Sequence, residues 1–211
     1  MFWMTQSLLN SWTYYLNADD EHCDEAWASF LSTLRRERRD PTKAMQDGIL
    51  FEDMVNRLVS GEPLEGEFVA KWDAAARRFA AKCMGGQSQV PVTGELSVCG
   101  MDFVLYGICD YVKAGIIYDI KKVTRYEYGK YFHSPQHPMY LHLVPEAKRF
   151  EYLIFDGSNC HVEPYCRGDY QPIKQTITDF IRFLKDTDEL EVYKAFWGMN
   201  RKREEKRSVI A

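Results

Sequence analysis

The chain has 211 residues, a formal net charge of −4, 45% hydrophobic and 27% charged residues, enough apolar material for one core with decorations or at most two small domains. That balance argues mildly against a general nucleic-acid binder, since phosphate contacts need Lys and Arg, although local distribution outweighs the sum. No run approaches the ~18 apolar residues of a membrane span, and Met1 to Leu16 lacks a basic leader because the first positive charge is Arg35, so the expectation is an intracellular, cytoplasmic protein without membrane contact.

The segment up to about Met84 reads as helical, with apolar residues at three- and four-residue spacing. Asp24 to Arg38 is the first predicted helix. Thr42 to Val59, after Pro41 and before Ser60-Gly61, is the second, and Pro63 to Met84, before Gly85-Gly86, is the third. From Gln89 the period changes to that of strands. Val90 to Val98, Asp102 to Val112 and Ile116 to Val123 form a predicted meander broken at Gly100 and Gly115. A short helix starts near Ser134-Pro135 and ends at Pro145. Strands Phe150 to Phe155 and His161 to Tyr165 flank the turn Asp156-Gly-Ser-Asn159, and Pro172 to Leu184 is an amphipathic helix. The expected organisation is one domain over 1–211: a mainly helical region over 1–86, a sheet core over 87–166, and C-terminal helices with a charged tail over 167–211.

The six cysteines, Cys23, Cys83, Cys99, Cys109, Cys160 and Cys166, never form Cys-x-x-Cys. They read as mostly buried thiols without a disulfide framework or zinc ribbon. His133 and His137 have the spacing of a helical zinc pair, but the helix start falls between them.

Polar residues are concentrated between Gly107 and Tyr140. If Ala114-Gly115 is a two-residue hairpin connection, Lys113 faces Ile116 and the same count sets Asp110 opposite Asp119, with Lys121 on the same face. A three-residue loop would shift this register by one, and Ala114 is not an ideal residue for positive φ. Neighbouring carboxylates repel unless a cation lies between them, and Mg²⁺ takes such oxygen ligands. The bland alternative is a hairpin carboxylate beside an exposed Asp119–Lys121 pair. Ile116-Ile-Tyr118 and Ile108 argue instead for a buried central strand, where unpaired charge is costly. On a helical wheel Glu52 lies at the margin of the apolar arc, and Asp53 falls on the polar side, within reach of Arg57 at i,i+4. Gln136 and Tyr140, four apart, share one helical face.

Taken in order, Glu52, Gly107-x-x-Asp110, Asp119-x-Lys121 and Gln136-x-x-x-Tyr140 resemble the PD-(D/E)XK nuclease superfamily in its RecB-like and phage exonuclease branch; Ser7 to Trp12 also looks like the segment that often opens such nucleases. The resemblance implies an α/β, restriction-endonuclease-like core (αβββαβ) with a mixed central sheet flanked by helices. It further implies a metal-dependent DNA nuclease, an exonuclease of phage or prophage type acting in recombination or repair. Mg²⁺ or Mn²⁺ would be held by Asp110, Asp119, Glu52 and the Ile120 carbonyl, Lys121 would orient or activate water, and Gln136 and Tyr140 would position substrate or the lysine. An endonuclease of structured DNA or RNA, and a silent nucleic-acid- or partner-binding module, remain open alternatives. The late cysteine trio of cluster-bearing relatives is missing, so no iron–sulfur cluster is expected. No Gly-x-x-x-x-Gly-Lys-Ser/Thr loop is present, so any unwinding has to come from a helicase or recombinase partner, and homo-oligomerisation stays open. Arg35, Arg36, Arg38, Arg39 and Lys43 are candidate phosphate contacts. Trp3, Trp12, Tyr14 and Tyr15 are candidate base-stacking or core residues, and Arg201 to Arg207 reads as a solvated charged tail.

Overall fold

The computed structural model describes residues 1–66 and 69–199; the tail Arg201 to Arg207 lies outside them. The elements are β1 (Phe2–Thr5), α1 (Gln6–Leu16), α2 (Cys23–Leu34), α3 (Lys43–Ser60), α4 (Val69–Cys83), β2 (Gln87–Val98), β3 (Met101–Lys113), β4 (Ile116–Lys122), α5 (Gln136–Leu143), β5 (Arg149–Phe155), β6 (Cys160–Cys166), α6 (Ile173–Asp186) and α7 (Leu190–Trp197). Strand pairing runs β1-β3-β4-β5-β6, with β2 also on β3. The protein is thus a mixed α/β fold whose six-stranded mixed sheet is flanked by helices, compatible with the expected restriction-endonuclease-like core.

Among the described residues two compact units draw on non-adjacent stretches of chain, 1–37, 93–106 and 172–199 in one, 38–66, 69–92 and 107–171 in the other. In the first, β1 pairs in parallel with the opening half of β3, from Phe2↔Phe103 to Thr5↔Tyr106. Around it α1, α2 and α6 bury an aromatic cluster in which Trp12 packs on Phe180 and Phe183, and Tyr15 on Trp27 and Phe30. Trp12 is therefore a core residue and Tyr15 a half-buried one at the edge of the same cluster, while Tyr14 is 61% exposed.

The second unit holds the remainder of β3 with β4, β5 and β6. Helix α3 forms where foreseen: Thr42 accepts the Met45 N–H at its start, and Gly61 closes it in the left-handed conformation at φ 74. Its apolar stripe, Phe51, Met54 and Val55, packs with Trp72, Ala76 and Phe79 of α4 against Tyr111, Tyr118, Ile120, Leu153 and Phe155. Each such large side chain contributes roughly 1.5–3 kcal/mol by leaving water, which makes this layer the platform under the candidate site.

Several expectations are corrected. Among the described residues α4 takes in Val69–Cys83, and the stretch from Pro63 to Gly66, the latter at φ 111, lies outside helix. Helix α2 stops at Leu34, so the basic run follows it. Arg57 pairs with Glu62 and Glu65 across the α3 C-terminus, not with Asp53. Only Cys83 and Cys109 among the six free thiols are buried. Ile108 is 40% exposed, since Phe103, Leu105, Cys109 and Tyr111 take the buried parity of β3 and Ile108 takes the other. No helix among the described residues is long and apolar enough to cross a membrane.

Candidate active site

The β3–β4 connection is a two-residue turn with both residues at positive φ, Ala114 at 49° and Gly115 at 77°, the conformation a tight right-twisted hairpin requires. It produces the pairs Lys113↔Ile116, Val112↔Ile117 and Tyr111↔Tyr118. The paired ladder ends there, one pair short of Asp110 and Asp119. Instead, Asp110 Oδ2 accepts the Ile120 N–H at 2.8 Å, a side chain taking the place of a backbone acceptor. Meanwhile β4 pairs in parallel with β5 along its whole length, from Ile116↔Arg149 to Lys122↔Phe155. The sheet thus opens between β3 and β4 where the carboxylates stand, and β5 holds β4 in place. Asp110 shares the more open parity of β3 with Ile108.

Asp119 is 2% exposed. Gln136, buried at the start of α5, donates its amide to Asp119 Oδ1, and Lys121 Nζ lies 2.6 Å from Asp119 Oδ2, as an ion pair without hydrogen-bond geometry at that oxygen. Glu52 looks in from α3, where it accepts the Gln89 amide at 2.8 Å. Asn56, one helical turn from Glu52, accepts the Tyr111 hydroxyl. Gln89 sits at φ 51, a conformation uncommon outside glycine. Both were missed in the sequence: Asn56 was recoverable from its i+4 relation to Glu52, whereas nothing in spacing marks Gln89.

The electrostatics follow from crowding. Burial, then the charges of Asp119 and Glu52, push Asp110 well above the usual carboxylate range. Burial, then Asp119, raise Glu52. Burial opposes the charge on Lys121, but Asp119 and Asp110 outweigh it and hold the ammonium above the ordinary lysine range. The centre therefore combines carboxylates inclined to keep protons with one firmly cationic amine. Burial, then Asp110 and Asp119, also push the neighbouring Cys109 thiol up to about 12, so it stays an uncharged thiol.

Tyr140 does not reach the carboxylates by hydrogen bond. Its hydroxyl donates to the Ile108 carbonyl at 2.9 Å, and its ring lies against Gly107, where an added Cβ would come within 2.0 Å of Cε1. Gly107 therefore accommodates the Tyr140 ring. Gln136 and Tyr140 each tie α5 to a strand, Gln136 to β4 and Tyr140 to β3. His137 between them is a core residue, stacked on Tyr165 at 3.9 Å and bonded to the Tyr152 hydroxyl at 3.2 Å. His133 is exposed. Of the basic run, Arg35 caps α2, Arg36 lies 4.0 Å over the Trp197 ring, Arg38 and Arg39 are exposed, and Lys43 pairs with Asp47 at 3.0 Å.

The oxygen donors of Asp110, Asp119, Glu52 and the Ile120 carbonyl suit a hard divalent cation, and the raised proton affinity of Asp110 and Glu52 marks a place where positive charge is favoured. Among the described residues no three His, Cys, Asp or Glu side chains form a finished cation cage; a cation would compete with Lys121 for Asp119 and with the Ile120 N–H for Asp110. The donor chemistry fits, and the metal-free arrangement is held by the protein's own cation and amides.

No family model and no curated protein matches the chain. Among solved structures it is similar to SSO0001, at 14% identity and a TM-score of 0.48 over 90% of this chain and 76% of that one. It is also similar to LHK-Exo in complex with dAMP, at 13% identity and a TM-score of 0.45 over 99% of this chain and 94% of that one.

Proposed function

We propose that the chain is a Mg²⁺- or Mn²⁺-dependent deoxyribonuclease that removes nucleotides from DNA ends. The observation that carries this reading is the gap between β3 and β4, where Asp110 and Asp119 stand with a lysine held cationic, and Glu52 is close enough to raise the proton affinity of Asp110. When bound by Asp110, Asp119, Glu52 and the Ile120 carbonyl, a divalent cation supplies charge neutralisation at the scissile phosphate and acidifies water.

The protein's own groups have definite parts. Asp110, pushed well above the usual carboxylate range, would have to be ionised to hold the cation, so occupancy would rise with pH. Gln136 fixes the Asp119 carboxylate through Oδ1, which leaves the buried Oδ2, beside Lys121, without a hydrogen bond. Lys121, paired with Asp119 at 2.6 Å and held protonated beside it, would supply the positive charge for the phosphate. There an ammonium favours hydroxide over water and stabilises charge that develops on the phosphoryl oxygens. Tyr140 and Gly107 keep α5 seated, so that Gln136 stays in reach.

End-labelled single- and double-stranded DNA, incubated with the purified protein with and without Mg²⁺, tests the proposal. Metal-dependent release of mononucleotides that Lys121→Ala lowers at least about 100-fold is expected, the scale of losing one preorganised charge-stabilising group. No metal-dependent cleavage, or full activity of Lys121→Ala, overturns it. Cleavage of a closed circular substrate would assign endonuclease action instead.

A further inference from the structure

Lys121 is followed, after Lys122 and Val123, by a connection to α5 that carries four aromatic rings, Tyr126, Tyr128, Tyr131 and Phe132. Two of them face inward. Tyr131 stacks on Tyr152 at 4.3 Å, and Tyr126 packs on the His161 ring at 4.5 Å. The connection is fastened to β6 by Glu163, a carboxylate only 1% exposed. Glu163 accepts the Tyr126 hydroxyl at 2.6 Å, the Tyr131 N–H at 3.1 Å and the Tyr165 hydroxyl. A buried carboxylate is costly unless its oxygens are satisfied; here three donors satisfy them and two of the three come from this loop. The loop is therefore fixed in place beside the site strand, and Tyr131 lies within electrostatic reach of both Lys121 and Asp119.

The other two rings face water. Tyr128 is 85% and Phe132 49% exposed, four residues apart on the fastened loop. Lys130 and Arg125 stand beside them, Lys130 donating to the Arg125 carbonyl at 3.1 Å and Arg125 pairing with Glu127. Two cations against one anion leave the loop positive, complementary to a phosphodiester chain. Exposed rings with adjoining positive charge form the surface on which single-stranded nucleic acid stacks its bases without reading their sequence. We propose that Tyr128 and Phe132 are a stacking platform for unpaired nucleobases, positioned beside the candidate active site by Glu163. This deepens the nuclease reading and rests on it for the identity of the substrate: the platform selects a single-stranded or frayed end.

The test is binding of the full chain, in chelator, to labelled oligothymidylate and to an abasic oligomer of equal length, read by fluorescence anisotropy beside the Mg²⁺ cleavage assay. Tyr128→Ala and Phe132→Leu should each weaken oligothymidylate binding about 5- to 150-fold and change abasic binding less than about twofold. Glu163→Gln should show the same base-dependent loss, a pattern that simple destabilisation would not give. Equal losses on both oligomers, no loss, or no wild-type binding overturns the platform. Ring-dependent binding without any cleavage would support the platform and overturn the nuclease reading, whereas cleavage with ring-independent binding would overturn the platform alone.

Discussion

Gly107→Ala inserts one methyl group where the structure has room for none. The new Cβ would lie 2.0 Å from Tyr140 Cε1 and 2.9 Å from both Cζ and the hydroxyl oxygen, against the ~3.5–4.0 Å of a comfortable carbon contact. The ring has to retreat by roughly 1.5 Å on that scale, yet Tyr140 is only 4% exposed and has little space behind it. Overpacking of this kind costs about 1–3 kcal/mol. Retreat also breaks the hydroxyl's bond to the Ile108 carbonyl, which adds about 1–3 kcal/mol for partners left unsatisfied. The opposing gain from a stiffer unfolded chain is only about 0.4–1 kcal/mol. The net expectation is a loss of about 1–5.6 kcal/mol, or roughly 2–22 °C in melting temperature at the ~2–4 °C per kcal/mol of a chain of this size. Thermal melts read by circular dichroism measure it. The decisive arm is the double variant Gly107→Ala/Tyr140→Leu, which removes the clashing ring edge and should melt above Gly107→Ala, with a coupling of about 1–3 kcal/mol. A Gly107→Ala protein that melts within about 2 °C of wild type, or strict additivity in the double variant, would refute the argument that Gly107 exists to seat Tyr140.

Other outcomes can be measured on the same preparations. Because Asp110 is raised in the fold, the native state keeps a proton that the unfolded chain loses above about pH 4; metal-free stability should therefore fall as pH rises through that window toward the raised value. Asp110→Asn should then melt above wild type in chelator at pH 8, with the gap closing toward pH 4, and a lower melt at pH 8 would contradict this. Lys121→Met leaves the Asp119 charge buried without its cation, and metal-free protein should lose roughly 1–4 kcal/mol, moderated because Lys121 keeps 30% exposure; urea melts in chelator would detect it. His137 is lowered by burial to about 3, so the fold refuses a proton that the unfolded chain accepts below about pH 6.5. Stability should decline by up to about 1.4 kcal/mol per pH unit from pH 6.5 downward, and His137→Gln should flatten that slope between pH 6.5 and 5; an unchanged slope would mean that another group carries it.

Local rules made much of this molecule readable in advance. The hairpin turn was marked by Gly115, and counting outward from it gives the three observed pairs. What counting could not supply is the end of the ladder, because the Ile120 N–H finds its acceptor in the Asp110 side chain, and only the competing pairing of β4 with β5 makes that the better arrangement. Helix α3 announced itself through Thr42 and Gly61, and with it the inward lean of Glu52. Strand β1 did not, since four residues have too little alternation to stand out, and they become a strand only when β3 offers them a parallel edge. Arg57 was assigned a helical neighbour because spacing along one helix is all that a sequence displays; Glu62 and Glu65 reach it because the chain turns back at Gly61. The closeness of Gly107 to Tyr140, over thirty residues later, was present in the sequence as two separate letters.

The cysteines give the chain a built-in series of reporters. Cys99 and Cys166 are exposed, Cys23 and Cys160 are half-covered, and Cys83 and Cys109 are sealed, both with thiols pushed up to about 12. An alkylating reagent needs both access and thiolate, so it should mark the outer pair first and the two sealed thiols, Cys83 and Cys109, last. The rate at which Cys109, next to Asp110 in the chain, is modified would thus time the local opening of β3 at the carboxylate centre, without any label having to be introduced.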